Sequence, residues 1–282
     1  TFSLLIINGG SLYERDKNGA INVGETEYGK LKNNQLTIGI NYKHIWNKRA
    51  YSNTSISNSI KESDARFFNI YSDSTVFKII ENSDVRSLRQ VNHFKLGPES
   101  KMEIGFDVEI NETDYNYYRK LTKSSLFINE IQFDRMVSTT NYAAFFTLKK
   151  NLFSRLLFSA GIRLDQNDYE KINLWSPRIN CDYELIRGKT NLIFNSGVYH
   201  QNPPGTYIAN DTSNKLKSIR AYQHSLSLEH MISSSTKLSI SAYQKEYNNS
   251  PILPDATLHN DPTFLFDELR MYNGIVSNGT AV

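Results

Sequence analysis

The residues that could do chemistry are charged side chains recurring at every second position. Glu103, Asp107 and Glu109 alternate with Met102, Ile104, Phe106, Val108 and Ile110, and Arg163 alternates with Leu156, Phe158, Ala160, Ile162 and Leu164. Arg155 precedes that run, and Arg178, Asp182 and Glu184 oppose Ile179, Cys181, Tyr183 and Leu185. A period of two puts these charges on one face of a sheet and the apolar residues on the other. In a soluble sheet the charges face water. If the apolar face meets lipid, they line a wet lumen where acids and bases on neighbouring strands pair and a plug can lean on them.

Other motifs fall away on spacing. Gly188-Lys189-Thr190 imitates the end of a phosphate-binding loop, but the position that needs an earlier glycine is Tyr183, and a strand pattern follows instead of a helix. Asp16-Lys17-Asn18-Gly19 has its glycine too early for a calcium loop and reads as a turn. His224 and His230 share a strand face about 20 Å apart, too far to hold one metal. The lone Cys181 excludes an intrachain disulfide and a cysteine-built zinc site, and its apolar face makes it a packed or lipid-facing thiol. No catalytic, cofactor-binding or metal site is expected. The only local hint of an enzyme is His200 beside Ser196.

These side chains must be positioned by strands. The chain has 282 residues, is 12% aromatic, and sets 32 basic against 29 acidic residues for a net charge of +3. That balance gives no argument for nucleic acid. No stretch approaches the roughly 18 apolar residues of a membrane-spanning helix, yet barrel strands hide their hydrophobicity in alternation, so a mean hydropathy of −0.49 is compatible with a lipid-facing surface. The chain begins at Thr1 and ends at Gly279-Thr280-Ala281-Val282 in what resembles the opening of a further strand, so it reads as a fragment cut at both ends.

Clear strands cover Leu36 to Trp46, Lys101 to Ile110, Tyr142 to Leu148, Leu156 to Leu164, Ile179 to Leu185, Thr190 to Tyr199, Tyr222 to His230 and Lys237 to Tyr247. Phe2 to Ile7 reads as the end of a strand and Tyr51 to Ile60 as a weaker, serine-rich one, and an untidy strand runs to Leu96, with Val76 to Ile80 open to assignment either to it or to the preceding loop. Gly188 supplies the positive φ that a tight hairpin at Arg187-Gly188-Lys189 needs. Tight turns near residues 47, 98, 151, 188 and 234, of about three to five residues, alternate with connections of about ten to twenty-five. Those at Asn8 to Asn34 and Lys61 to Asp84 read as long loops, as does the stretch from Tyr118 to about Asp134. Eleven residues at about 3.3 Å, tilted by about 40°, span roughly 28 Å, close to the apolar band of about 25 Å of an outer-membrane barrel. Trp46, Tyr115, Tyr117, Trp175, Tyr199 and Tyr247 collect at strand ends, where interfacial aromatic girdles would stand. The fold class is therefore all-β: an antiparallel up-and-down transmembrane β-barrel portion of about twelve strands, with short periplasmic turns and long extracellular loops. Residues 1–282 read as a single partial barrel domain.

Trp175-Ser176-Pro177-Arg178 opening a strand, Tyr199-His200-Gln201-Asn202-Pro203-Pro204 closing the next, Arg220-Ala221-Tyr222, and Leu238 to Tyr247 together resemble the barrel of TonB-dependent outer-membrane receptors. The resemblance covers about residues 175 to 250; elsewhere the likeness is one of rhythm. It implies a chain in the cell outer membrane, in contact with outer-membrane lipid, that surrounds a plug domain. It also implies import of a scarce small-molecule or glycan ligand, such as a ferric siderophore or cobalamin, driven through the TonB complex. The plug and the TonB-contacting segment are not in this sequence. Ligand contact is expected in the loops Gln201 to Lys217 and Asn248 to Met271. An unplugged porin or diffusion channel, an outer-membrane barrel enzyme and a soluble β protein are the alternatives.

Overall fold

The computed structural model describes residues 1–120, 130–211, 216–252 and 277–281. They form one sheet of twelve strands in sequence order, β1-β2-β3 through to β12, each antiparallel to the next. The strands are β1 (Phe2–Arg15), β2 (Glu27–Asn47), β3 (Ala50–Asn69), β4 (Thr75–Lys95), β5 (Ser100–Lys120), β6 (Glu130–Leu152), β7 (Leu156–Asn167), β8 (Asn173–Ile186), β9 (Thr190–Gln201), β10 (Ile219–Met231), β11 (Lys237–Ile252) and β12 (Ser277–Ala281). Two one-turn helices, α1 (Lys17–Asn22) and α2 (Gly205–Asn210), sit in connections. Among the described residues no helix is long and apolar enough to cross a membrane.

Register carries the alternation across the sheet. Ile40 stands opposite Ile56, Ile56 opposite Leu88, Leu88 opposite Val108 and Val108 opposite Tyr142, making one apolar row across five strands. One position further along each strand, Asn41, Ser55, Arg89, Asp107, Ala143 and Asp165 form a polar row on the other face. The apolar face is the open one: Ile56 is 58% exposed, Phe106 42%, Trp175 54% and Leu226 49%. Ala65, Thr113, Tyr115, Tyr117, Ala143 and Ser176, all buried, lie on the polar face. A soluble protein rarely leaves an apolar surface of this extent uncovered, because burial of such area is its main driving force. A chain surrounded by lipid inverts that rule.

The tight turns fall at residues 48–49, 96–99, 153–155, 187–189 and 232–236. Gly188 takes φ 67°, and its N–H is accepted by Glu184 Oε1 at 2.6 Å. The long loops expected at Asn8 to Asn34 and Lys61 to Asp84 are mostly strand. β1 and β2 stay paired out to Arg15↔Gly29, and only residues 16–26 are irregular or helical. β3 and β4 stay paired out to Phe68↔Thr75, leaving residues 70–74 as their connection. β5 and β6 likewise run on to Lys120↔Glu130. In these outer halves the outward face of β5 turns polar while the inward face carries aromatics such as Phe77, Tyr117 and Phe133, so the outward apolar alternation ends while the backbone ladder does not.

Asp16 caps α1, its Oδ1 accepting the Gly19 N–H at 2.6 Å, so Asp16-Lys17-Asn18-Gly19 is a helix start and not a cation loop. Among the described residues no cluster of His, Cys, Asp or Glu is arranged to hold a metal.

Candidate functional site

The polar face carries a charge network centred on Arg163. β6 presents Ala143 between Asp107 of β5 and Asp165 of β7, and over this small residue the Arg163 guanidinium of β7 reaches across to Asp107, while Asp165 lies two residues along its own strand. Arg163 Nη1 lies 2.6 Å from Asp107 and Nε 2.8 Å from Asp165, while Arg89 approaches Asp107 from β4 at 3.5 Å. Hydrogen bonds between ionised groups in partly buried positions are stronger than exposed pairs, and removing one member leaves the others without compensation. Phe145 lies between the two guanidiniums, 5.3 Å from Arg89 and 5.9 Å from Arg163. Gly105, opposite Phe145, makes this possible: a Cβ there would run into the Phe145 ring and the Gln90 carbonyl.

The other sequence candidates sort along the same face. Glu103 accepts from Lys149 at 3.2 Å and has His93 at 3.6 Å, and Glu109 accepts the Asn141 amide at 3.3 Å. Arg178 lies over the Tyr199 ring at 4.4 Å. Asp182 stands opposite Ile193, and Glu184 caps the β8–β9 turn through Gly188. Arg155 departs from this pattern: it sits exposed in the turn 153–155, its N–H donated to Leu152 O, so it belongs to the end of the wall and not to the face. Two adjoining hollows sharing Arg89 and Arg163 occupy the face, of about 370 and 430 Å³.

Over the outer end of these hollows lie the described residues of the β9–β10 connection, 202–211 and 216–218, which include α2. This connection leaves β9 and reaches back across the polar face to β5 and β6, where Gly205 packs on Tyr115 so closely that a Cβ would strike the phenol, and Arg135 Nη1 donates to Ala209 O at 2.9 Å. Asn202 donates to Asn141 at 2.7 Å, and Glu170 accepts from the Ser218 N–H at 3.0 Å and the Ser218 hydroxyl at 2.6 Å. Asp211, 4% exposed, accepts from the Tyr169 hydroxyl and from the Leu216 N–H. Burial, with the bond to Asp211 second, pushes the Tyr169 phenol well above its usual range. The segment is a strap fixed at both ends. Its anchors come from two strands, β5 and β6, and from the β7–β8 connection, all distant from it in sequence, which strand patterns do not reveal.

Four of the six aromatics expected at interfaces stand elsewhere. Tyr115 and Tyr117 are 6% and 1% exposed on the polar face, in an inner aromatic row where Tyr117 stacks on Phe133 at 5.0 Å. Tyr199 lies beneath Arg178, and Tyr247, opposite Ala221, shares the polar-face alternation of β11 with Ser239, Ser241 and Lys245. They share parity with the charged residues, so the same period of two turns them inward. Trp46 and Trp175 do stand on the apolar face, 63% and 54% exposed, Trp46 donating to Ser52 at 3.2 Å. His200 pairs with Ser176 at 3.0 Å, and Ser196 with His224 at 2.9 Å; neither histidine is held by a carboxylate in the way a nucleophilic triad requires. Of the two loops expected to contact ligand, residues 253–276 of the second lie outside the described residues, and Asn248 to Ile252 extend β11.

A family model for the TonB dependent receptor-like β-barrel matches residues 5–273. No curated protein matches the chain in sequence. The ferripyoverdine receptor of the outer membrane of Pseudomonas aeruginosa is similar in structure, with a TM-score of 0.64 at 13% identity, over 91% of this chain and 38% of that one. The outer membrane transporter YddB from Escherichia coli gives 0.61 at 11% identity, over 91% of this chain and 39% of that one. The ferric-catecholate import receptor Fiu from E. coli K12 gives 0.61 at 11% identity, over 90% of this chain and 50% of that one. The chain thus spans half or less of the length of these structures, and at such identities the likeness is one of fold. With a single up-and-down sheet, an open apolar face and a family model covering nearly all of its length, the chain belongs to the β-barrel family of TonB-dependent receptors of the outer membrane.

Proposed function

We propose that this chain is part of the wall of an active importer: a barrel that surrounds a plug domain, takes a scarce ligand from outside the cell and draws energy from the TonB complex. Residues 1–282 act as one partial barrel domain, and the plug and remaining strands belong to the rest of the receptor. The observation that carries this reading is the two-sided sheet, with lipid-compatible residues open on one face and the Asp107–Arg163–Asp165 network on the other. Glu103, Asp107, Glu109, Arg163, Arg178, Asp182 and Glu184 then line the lumen, where their pairs stiffen the wall against which a plug rests. Trp46 and Trp175 anchor the wall at the membrane interfaces.

A ferric siderophore is the ligand class proposed. Support comes from the receptors of similar fold, among them those for ferripyoverdine and ferric catecholates. Ligand contacts come from the strap, residues 202–211 and 216–218, which is held across the mouth by bonds of Asn202 to Asn141, Ala209 to Arg135 and Ser218 to Glu170. Uptake of iron-59 siderophores by iron-starved cells, with and without the gene and with and without TonB, tests the reading. Uptake lost in both deletions is the expected result. Passive uptake that continues without TonB would point to an unplugged channel instead.

A further inference from the structure

We infer that Arg178 and Tyr199 form a carboxylate-binding site on the inner wall, a role that rests on the proposal that this face lines a plugged barrel. Three guanidiniums border the hollow of about 370 Å³: those of Arg89, Arg163 and Arg178. Arg163 is held by Asp107 at 2.6 Å and Asp165 at 2.8 Å, and Arg89 approaches Asp107 at 3.5 Å. Arg178 is exposed and makes no ion pair among the described residues.

Its pose is nevertheless fixed. The guanidinium lies 4.4 Å from the Tyr199 ring centroid, and the backbone beneath the pair is Gly197, where a Cβ would stand 3.0 Å from Arg178 Cγ and 3.3 Å from the Tyr199 ring. Stacking engages the face of the guanidinium and leaves its in-plane N–H edge free, the edge that matches a carboxylate in a two-pronged hydrogen bond. Of the acids on this face, Glu103, which borders the same hollow, is engaged by Lys149 at 3.2 Å, Asp165 by Arg163 and Glu184 by the Gly188 N–H, while Asp182, four residues along β8, makes no ion pair with Arg178. The Asn180 amide is turned to Asn195, and Asn195 to Ser225 at 3.2 Å, so the amides flanking the groove already have partners. A guanidinium held on a ring and without an ion pair among the described residues keeps its N–H donors available to an anion entering the hollow. Two sources share that chemistry: a carboxylate side chain of the plug, and a carboxylate on a ligand in passage.

The test uses the complete receptor in detergent, with R178Q and R178K variants, followed by thermal unfolding and by titration with benzoate. If the carboxylate belongs to the plug, R178Q lowers Tm by about 2–4 °C, R178K recovers part of the loss, and benzoate binds none of the three. If it arrives on a ligand, benzoate binds the parent receptor, R178Q weakens that binding at least tenfold, and Tm does not move. Equal Tm values with no benzoate binding overturn the inference. A Tm lowered equally by R178Q and R178K, with no benzoate binding, overturns it as well, since only ring stacking would then have been lost. Heat-modified migration in gels reports the folded barrel separately, so failure of this site reads differently from failure of the wall assignment.

Discussion

Strands β2 to β6 run 20 to 23 residues, while β7 to β11 run 12 to 16. At about 3.3 Å per residue and a tilt of about 40°, twelve residues rise roughly 30 Å and twenty-one roughly 53 Å. The short wall is therefore little more than a membrane span, whereas the tall wall projects about 20 Å beyond it. The apolar band is equally high in both: in β5 it ends at Ile110, and the outward positions beyond are Glu112, Asp114 and Asn116. The projecting half is held by polar contacts, such as Arg86 to Glu112 at 3.0 Å and Asn116 to Asp134 at 2.8 Å, and by the inner aromatic row of Phe67, Phe77, Tyr117 and Phe133. The strap leaves the short wall and rests on the inside of the tall one. Backbone pairing sets how far a strand runs; lipid sets only how far its outer face is apolar.

The largest effects follow from that division. Phe106→Arg in the tall wall and Leu226→Arg in the short wall each cost about 2–4 kcal/mol in unfolding from lipid, because both put a charge into the apolar band. Ile80→Arg, on the outward parity of the tall wall but level with Asp64 and Asn116, costs about 0–1 kcal/mol in the same measurement. Equal losses at Phe106 and Ile80 would mean that the tall wall does not leave the membrane.

Close approach separates the walls at the next level. Gly105→Ala in the tall wall forces its Cβ against backbone and ring and costs about 1–3 kcal/mol. Gly197→Ala in the short wall meets the flexible Arg178 stem at 3.0 Å and costs less, about 0.5–1 kcal/mol. Chemical denaturation of the two variants decides the order.

The strap that joins the walls has an alkaline limit. The phenol of Tyr169 is raised in the folded chain, so its bond to Asp211 contributes fully below the ordinary tyrosine pKa of about 10 and is lost as pH rises through the folded value. Tyrosinate absorbance should therefore contain one late-titrating phenol fewer in Tyr169→Phe than in the parent chain. A smaller, acid-side effect belongs to the tall wall's tip, where Lys17 and the Tyr28 hydroxyl, donating to Asp73 at 2.7 and 3.0 Å, hold its carboxyl below the usual carboxylate range. This clamp persists above the unfolded carboxylate pKa and is lost as pH falls through the lower folded value. Hydrogen exchange in residues 16–26 should rise there with no change in melting.

The sequence was most legible where lipid imposes alternation. The band from Leu36 to Trp46, the charges of β5 and the Gly188 turn could be read directly, since one face must be apolar and a tight turn needs a residue tolerant of positive φ. The outer halves of β1 to β6 were not legible: Lys61 to Asn69 opens with four polar residues and then sets Phe67 beside Phe68, so it shows no alternation, and its pairing with β2 and β4 makes it a strand. Tyr115 and Tyr117 were assigned to an interface by nearness to a loop, although counting by twos from Asp107 turns both inward. Arg155 failed for the complementary reason: the count was carried through a turn, where parity no longer holds. Ala143 as the small residue over which Arg163 reaches Asp107, and the strap's anchors on β5 and β6, depend on register and tertiary contact, which alternation does not encode.

Sidedness is tested most directly by spin labels placed one at a time at Phe106, Leu226, Ser57 and Ile80 in a Cys181→Ser background, in lipid bilayers, with oxygen and a water-soluble nickel chelate as relaxing agents. Labels at 106 and 226 should relax with oxygen and ignore the chelate, while those at 57 and 80 should respond to the chelate. Chelate access at 106 together with oxygen-dominated relaxation at 57 would turn the sheet inside out and contradict the assignment of its two faces.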